Sequence, residues 1–379
     1  MSSQLSLVFY YIIFLSTSLL AASIAYADYR DDKAYLFRFT QGFLQIRAGQ
    51  LIKWFSLILI PVLTASFRYG LGTDYPSYKI LYSRISQISN IDLATVAQPT
   101  EYISNLLYKI AYWMFNDFQG WLFLTSLITI AVAYLAIHDY RDTSDIFIMT
   151  FSYMALLFAP SLNIIRQIMA GSVVFWGLKY VPERKPIKYF VLIFIAMMLH
   201  TSAVFAALFY FLNVKESKYA GLKQAVMFAL CATIPAVFSQ AFEVFTSFSV
   251  FQSYGTIYSN QYGFLHVSDI LFRLPIAALI LVFRRRLEEN DKDSRFYELL
   301  FFMEFVSLLL TGYNRWLYRM MYFCIPGEIV LVSRLPKCFS KNSKLFIRIG
   351  IVAYYVVFFY INNYWRGVDE IFPYITIFN

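Results

Sequence analysis

Charge is what this sequence has little of. Only 15% of its 379 residues are Asp, Glu, Lys or Arg, against about 25% in an average soluble domain. With 59% hydrophobic residues and a mean hydropathy of +0.56, an ordinary soluble domain is excluded. Cysteine is scarce as well. Cys231, Cys324 and Cys338 are far apart and make no CxxC or zinc spacing. Cys231 and Cys324 fall in apolar runs, where cysteine serves as an inert packing residue. There is no GxxxxGK[ST] phosphate loop and no HExxH zinc motif, so ATP bound by this chain is not the energy source. No DxD-like sugar-nucleotide metal motif stands in the segments expected to face outward. Met1–Gln4 carries no Lys or Arg, although Ala25-Tyr26-Ala27 resembles a signal-peptidase site. A signal peptide wants a basic start, so the uncharged run 5–27 is expected to be a retained first helix.

What is abundant is apolar and aromatic, with 39 Phe and 31 Tyr. Tyr and Trp favour the membrane interface, and aromatic faces also suit sugars and lipid tails. A transmembrane helix needs about 20 mostly apolar residues. Candidate runs lie at 5–27, 51–67, 118–137, 146–165, 168–182, 224–242, 270–283, 296–313, 320–333 and 345–363. The shorter ones can be completed by aromatic ends and snorkelling Lys or Arg. The net charge of +9 does not point to nucleic acid, because the basic residues sit in short loops between apolar runs. That is the positive-inside pattern.

Lys and Arg are dense in 28–53, 179–188, 215–223, 284–295 and 334–348, which are predicted to be cytoplasmic. With 179–188 and 215–223 on one side, 187–214 must enter and return. It reads as a hairpin of two short helices turning near Leu199-His200-Thr201-Ser202. Loop 243–269 has no Lys or Arg and is placed outside. The expected fold is an all-α polytopic membrane helix bundle of about 11–12 transmembrane segments. It has both termini outside, a single transmembrane domain over 1–379, outward loops at 68–117 and 243–269, and an outward-facing cavity.

Nine basic residues remain on the outward side: Arg68, Lys79, Arg84, Lys109, Arg166, Arg273, Arg315, Arg319 and Arg366. Charge at membrane depth is expensive and usually faces a cavity. Lys79, Arg84, Lys109 and Arg366 lie in longer polar segments and suit snorkelling to headgroups. Arg166, Arg315 and Arg319 lie between closely joined runs, where a cavity is the better reading.

Five clusters stand out. The first, Arg68-Tyr69-Gly70-Leu71-Gly72-Thr73-Asp74-Tyr75-Pro76-Ser77-Tyr78, holds an Arg and an Asp on a compact turn after 51–67. A simple interface turn with an Arg68–Asp74 pair is the alternative. In the second, Glu101, Asn105 and Lys109 share one helical face, with Ile103, Leu106, Leu107 and Ile110 supplying an apolar side, as in an amphipathic helix lying on the outer surface. In the third, Asn163, Arg166 and Gln167 make a polar helical stripe that needs partners. The fourth is His200 with Ser202 at the hairpin turn. The fifth is Asn314, Arg315 and Arg319, the two arginines at i and i+4 forming an anion clamp, since a planar guanidinium binds phosphate bidentately. Glu304 and Glu328 fall inside spans and are neutral, paired or lining the cavity.

In their order, these residues resemble the EpsG/Wzy-like polysaccharide repeat-unit polymerases. The pattern is Arg68-Tyr-Gly-x-Gly-Thr-Asp74-Tyr-x-x-Tyr78, then Glu101, Asn163-x-x-Arg166-Gln167, His200-Thr-Ser202-Ala, Asn314-Arg315 with Arg319, and a tail with Pro373-Tyr374. One departure is Gln98-Pro99-Thr100-Glu101, where Glu directly followed by Pro is expected. The resemblance implies a multi-pass protein of the bacterial inner membrane with its active site facing the periplasm. It would be a metal-independent glycosyltransferase without cofactors, acting on undecaprenyl-diphosphate-linked oligosaccharide for O-antigen, capsule or exopolysaccharide. Its partners would be membrane lipids and a chain-length regulator protein, not nucleic acid.

In that reading a base removes a proton from an acceptor hydroxyl, and the oxygen attacks the donor anomeric carbon. Asp74 and His200 are the candidate bases, with Glu101 next. Arg166, Arg315 and Arg319, with Arg68 after them, meet the diphosphate leaving group. Asn163, Gln167, Tyr75 and Tyr78 contact substrate. Two rivals remain: an O-antigen ligase-type glycosyltransferase, which a large late outward loop would favour although 243–269 is only modest, and a lipid-linked oligosaccharide transporter, which internal repeats would favour although the sequence shows no convincing one.

Overall fold

The computed structural model describes residues 1–30, 37–40, 43–46, 48–86, 100–213, 267–310 and 315–378, with a few positions between 221 and 233. The expectations for 215–223, 224–242 and most of 243–269, for Cys231, for Asn314 and for the side chain of Arg315 lie outside the described residues.

The long apolar runs become helices because lipid leaves backbone groups no partner but their own segment. In chain order these are α1 (Ser3–Arg30), α2 (Ala48–Ser66), α3 (Tyr75–Ser86), α4 (Tyr102–Phe115), α5 (Phe118–Asp139), α6 (Ile146–Tyr153) and α7 (Ala159–Asn163). There follow α8 (Ile165–Leu178), α9 (Pro186–Leu199), α10 (Phe209–Leu212), α11 (Val267–Asn290), α12 (Ser294–Leu310), α13 (Met321–Arg334) and α14 (Lys341–Phe359). A four-residue antiparallel pair, Phe37–Thr40 with Phe43–Ile46, joins α1 to α2. The protein is an all-α polytopic membrane bundle. Among the described residues, four stretches are long and apolar enough to cross a membrane: Ser3–Ala27, Phe118–Asp139, Ile146–Asn163 and Lys341–Trp365. Shorter apolar helices cover Leu51–Ser66, Ile165–Leu178, Pro186–Leu199 and Thr201–Leu212.

Two elements form the centre. In Ile146–Asn163, 89% of the residues are buried, while in the most apolar part of Lys341–Trp365 only 17% are, as suits a lipid-facing helix. Helix α13 is buried at every position. Gly327 lets it approach α12 so closely that a Cβ there would stand 2.9 Å from the backbone of Phe301 and Tyr297, the small-residue packing common between membrane helices. Cys324 is buried in this helix, as a packing residue should be.

Several short elements shape one end of the bundle. A π-helical turn, Met154–Phe158, links α6 to α7, and a break at Ile164 (φ −90°, ψ 59°) separates α7 from α8. The hairpin forms much as the charge pattern requires. Helix α9 ends at His200, whose backbone is extended, and a 3₁₀ segment, Thr201–Leu208, leads back through α10. Asn213 Nδ2 then donates to Val181 O at 2.8 Å, which returns the chain to the level where the hairpin began. The segment after α14 folds over the same end as His200 and Asn163: Tyr69 N donates to Ile375 O, Ile377 N to Phe67 O, and Tyr374 Oη to Thr64 O at 2.7 Å. The opposite end gathers Lys179 beside Asp139, Arg348 beside Asp145, Arg334 beside Asp291 and Arg284 beside Glu298.

Helix α4 differs from the expected surface helix. Its polar face turns inward: Glu101, Ser104 and Asn105 are fully buried or nearly so, and Lys109 is 3% exposed. Tyr112, Trp113, Met114 and Phe115 are exposed instead. The cause is visible in its partners. Ser104 Oγ donates to Leu199 O at the end of α9, Tyr108 stacks on Trp121 at 4.4 Å, and Glu101 meets α8 and the hairpin turn.

Candidate functional site

Glu101 is the hub of the site. It precedes the first turn of α4 and is completely buried. Arg166 Nη1 donates to its Oε2 at 2.5 Å, while His200 Nδ1 and Thr201 N donate to its Oε1 at 2.7 and 3.1 Å. Burial pushes its pKa up, but Arg166 and His200 outweigh burial and hold the carboxyl at about 2, below the ordinary 4.5. An ionised carboxylate only accepts. Nδ1 of His200 therefore carries the proton facing Glu101, and Nε2 is the nitrogen left for other chemistry. Three donors make Glu101 a poor base and a good orienting group.

Arg166 is 12% exposed, and its guanidinium lies 5.6 Å from the ring centre of the buried Tyr78 on α3. Tyr78 also senses Asp74 and Arg319, after Arg166, so these charges share one neighbourhood. Gln167 Nε2 donates to the backbone carbonyl of Arg319, which fastens the start of α8 to the 3₁₀ segment Arg315–Met320.

Asn163 is a second hub. Its Oδ1 accepts from Thr73 Oγ1 and Asp74 N, both at 3.0 Å, and its Nδ2 donates to Asp369 Oδ1 at 3.1 Å. Gly72 makes this possible. It adopts φ +96°, and a Cβ there would sit 3.0 Å from Leu162 O and 3.1 Å from Asn163 Cα. Asp74 is half-buried beside this junction, and Tyr75 is buried against Phe118 at 5.3 Å.

Two spacings mean something different in three dimensions. Asn163, Arg166 and Gln167 do not share one face, because the break at Ile164 sends Asn163 towards residues 73–74 and 369 and Arg166 towards Glu101. Arg315 and Arg319 lie on a 3₁₀ helix. There residues three apart align, so a spacing of four does not stack them as an α-helix would.

Arg68 lies apart from the Glu101 hub. It is fully buried and donates to Ala65 O and, at 3.1 Å, to Leu162 O, tying the end of α2 to α7. Lys79 and Arg84 are exposed, as headgroup-seeking residues would be. Lys109 and Arg366 are not: Lys109 is buried, and Arg366 donates to Asp269. Arg273 Nε lies 2.8 Å from Glu304 Oε1 and Nη1 3.1 Å from Glu328 Oε2, and Tyr355 donates to Glu328 at 2.7 Å. Of the three readings open for Glu304 and Glu328, they are paired.

Asp369 is a residue that sequence reasoning missed. It is 8% exposed and adopts φ +71° between Gly367 and Glu370, both also at positive φ. Its Oδ2 accepts from Asn363 Nδ2 at 3.3 Å. Burial raises its pKa to about 6, against the opposing hydrogen bonds from Asn163 and Asn363. The available signal was an acidic residue close after the last apolar run, preceded by Asn362-Asn363 and Gly367.

With known proteins, the chain compares as follows. The family model described as the EpsG family matches residues 51–376, which include every residue of both hubs. No curated protein and no solved structure matches the chain.

Proposed function

Because the chain belongs to the EpsG family, whose function is of the polysaccharide-polymerase type, we propose that it joins oligosaccharide repeat units carried on polyprenyl diphosphate. The growing chain is the donor and a single lipid-linked unit is the acceptor. The product feeds O-antigen, capsule or exopolysaccharide, and the reaction takes place on the periplasmic face of the bacterial inner membrane. Orientation is supported by the end of the bundle opposite the site, where Lys179, Arg284, Arg334 and Arg348 collect.

The observation that carries this reading is that one buried carboxylate, Glu101, fixes both His200 and Arg166. The two hold complementary parts of a glycosyl transfer. His200, with Nδ1 engaged by Glu101, takes the acceptor hydroxyl proton on Nε2. The hydroxyl oxygen forms the new bond to the donor anomeric carbon as the bond to the polyprenyl diphosphate oxygen breaks. Arg166 and Arg319, with Arg315, neutralise the charge that grows on the diphosphate, a role that in other sites falls to a metal. Glu101 orients and does not itself take the proton. Asp74, held by the Asn163 junction, is the competing base.

Turnover of a lipid-diphosphate-linked repeat unit by the purified protein tests this. Arg166→Lys should fold and lose activity, and Arg166→Ala should lose more, by about 30- to 1,000-fold. Full activity in Arg166→Lys would remove the arginine from the diphosphate site, because Lys snorkels as well as Arg. A deletion strain should retain a single repeat unit while losing the polysaccharide ladder. Loss of every unit would instead favour the ligase or transporter reading.

A further inference from the structure

A cavity open to solvent lies beside Asn163, between the start of α11, the 3₁₀ segment before α13, the π-helical turn and the end of α14. Its walls are of two kinds. Asp369, Asn363, Asn362 and Asp269 offer carboxylate and amide groups, while Tyr318, Tyr322 and Phe358 offer rings. The two tyrosine rings meet edge to face at 5.9 Å, and Phe358 backs the guanidinium of Arg273 at 4.8 Å.

The charge in this cavity is opposite in kind to that around Glu101. Among the described residues that line it, the only cation is Arg273, engaged by both Glu304 and Glu328, and Arg366 beside the rim is engaged by Asp269 and Asn362. An anionic diphosphate gains nothing here. Neutral hydroxyls do, because carboxylates and amides accept and donate to them and ring faces pack on the apolar side of a pyranose. Asp369 stands between the two regions. Each of its oxygens accepts one bond from an asparagine, and a carboxylate oxygen can accept a second. Through Asn163 it is joined to Asp74 and so to the neighbourhood of Tyr78, Arg166 and Arg319.

We propose that this cavity is a carbohydrate subsite for the acceptor repeat unit, with Asp369 and the two asparagines binding its hydroxyls and Tyr318 and Tyr322 lining its ring face. The site is thereby divided into a cationic half for the lipid diphosphate and a carboxylate-amide half for the sugar. This rests on the polymerase reading above.

The test uses the full chain in detergent and two probes. One is the repeat-unit oligosaccharide cut free from the strain's own lipid-linked pool by mild acid, and the other is undecaprenyl diphosphate. Asp369→Asn and Asn362→Ala should each weaken oligosaccharide binding by about tenfold or more, as loss of a hydrogen bond to a charged or buried group does. Both should leave undecaprenyl diphosphate binding within about twofold. Arg166→Ala should give the reverse pattern. Asn362, on the half-buried rim, carries the test if Asp369→Asn does not fold. Unchanged oligosaccharide affinity in the folded variants overturns the subsite. So does a wild-type protein that polymerises lipid-linked units but does not bind the oligosaccharide. Binding without polymerisation supports the subsite and overturns the polymerase reading. A protein that does neither removes both.

Discussion

At the scale of the residue, Glu101 shows how a buried charge becomes useful. Alone it would be protonated, since burial disfavours the ion; with Arg166 and His200 it is ionised and immobile. Removing one partner of such a group strands the others, at a cost of about 3–5 kcal/mol. Glu101→Gln is therefore expected to lower the thermal midpoint clearly and to cut turnover by about 100-fold or more, as loss of an oriented base does. A wild-type melting curve for this variant would contradict the account. The pH dependence has a definite sign. The Glu101 carboxyl lies lower in the folded state, so its stabilisation is fully present above about pH 4.5 and is lost as pH falls towards 2.

Asp369 behaves oppositely. Its pKa is raised from 3.8 to about 6, so stability declines as pH rises through that interval. Asp369→Asn should flatten this decline, which is on the order of 2 kcal/mol, when thermal unfolding is followed between pH 4 and 7. Glu101, His200 and Arg166 were legible in the sequence as polar residues where lipid tolerates few. Asp369 was not, because its meaning comes from the positive-φ turn that presents it, and no periodicity encodes that turn.

At the scale of the element, apolar length revealed the helices but not what breaks them. The hairpin was readable because two basic segments had to lie on one side, and His200 duly stands at its turn. Hydrophobic pattern also indicated that α4 has two faces. Which face turns inward depends on contacts with α5, α8 and the hairpin, which lie far away in the chain. Likewise Pro160, the π-helical turn and the break at Ile164 redirect Asn163 away from Arg166. The Gly72 turn offers a clean test of this local architecture. Gly72→Ala meets both a positive φ and backbone atoms at 3.0–3.1 Å, so it should destabilise by about 1–3 kcal/mol and uncouple Asp74 from Asn163. Gly171→Ala, in α8 with nothing within 4 Å of the new Cβ, should be neutral or slightly stabilising. Equal thermal midpoints for the two would show that the turn is not held as described.

At the scale of the whole molecule, the bundle has two unlike ends. One gathers paired basic residues near Lys179, Arg334 and Arg348, and the other gathers Glu101, Asn163, His200 and Asp369. The proposed orientation predicts opposite labelling of two exposed positions. In a cysteine-free background, Ser77→Cys should react with an impermeant maleimide in intact spheroplasts, and Glu183→Cys only after permeabilisation. The reverse result would turn the site to the cytoplasm.

The knot at Asn163 also bears on when the protein becomes active during its own synthesis. It draws together residues 73–74, 163 and 369, while Tyr374 reaches back to Ser6 and Thr64. A nascent chain that has emerged from the ribosome only as far as Trp365 can insert its long apolar helices, yet it lacks Asp369 and the strap that pairs with Phe67 and Tyr69. Insertion into the bilayer and acquisition of a complete site are thus separate events. A ribosome that stalls between them leaves an integrated protein with that end of the bundle incomplete.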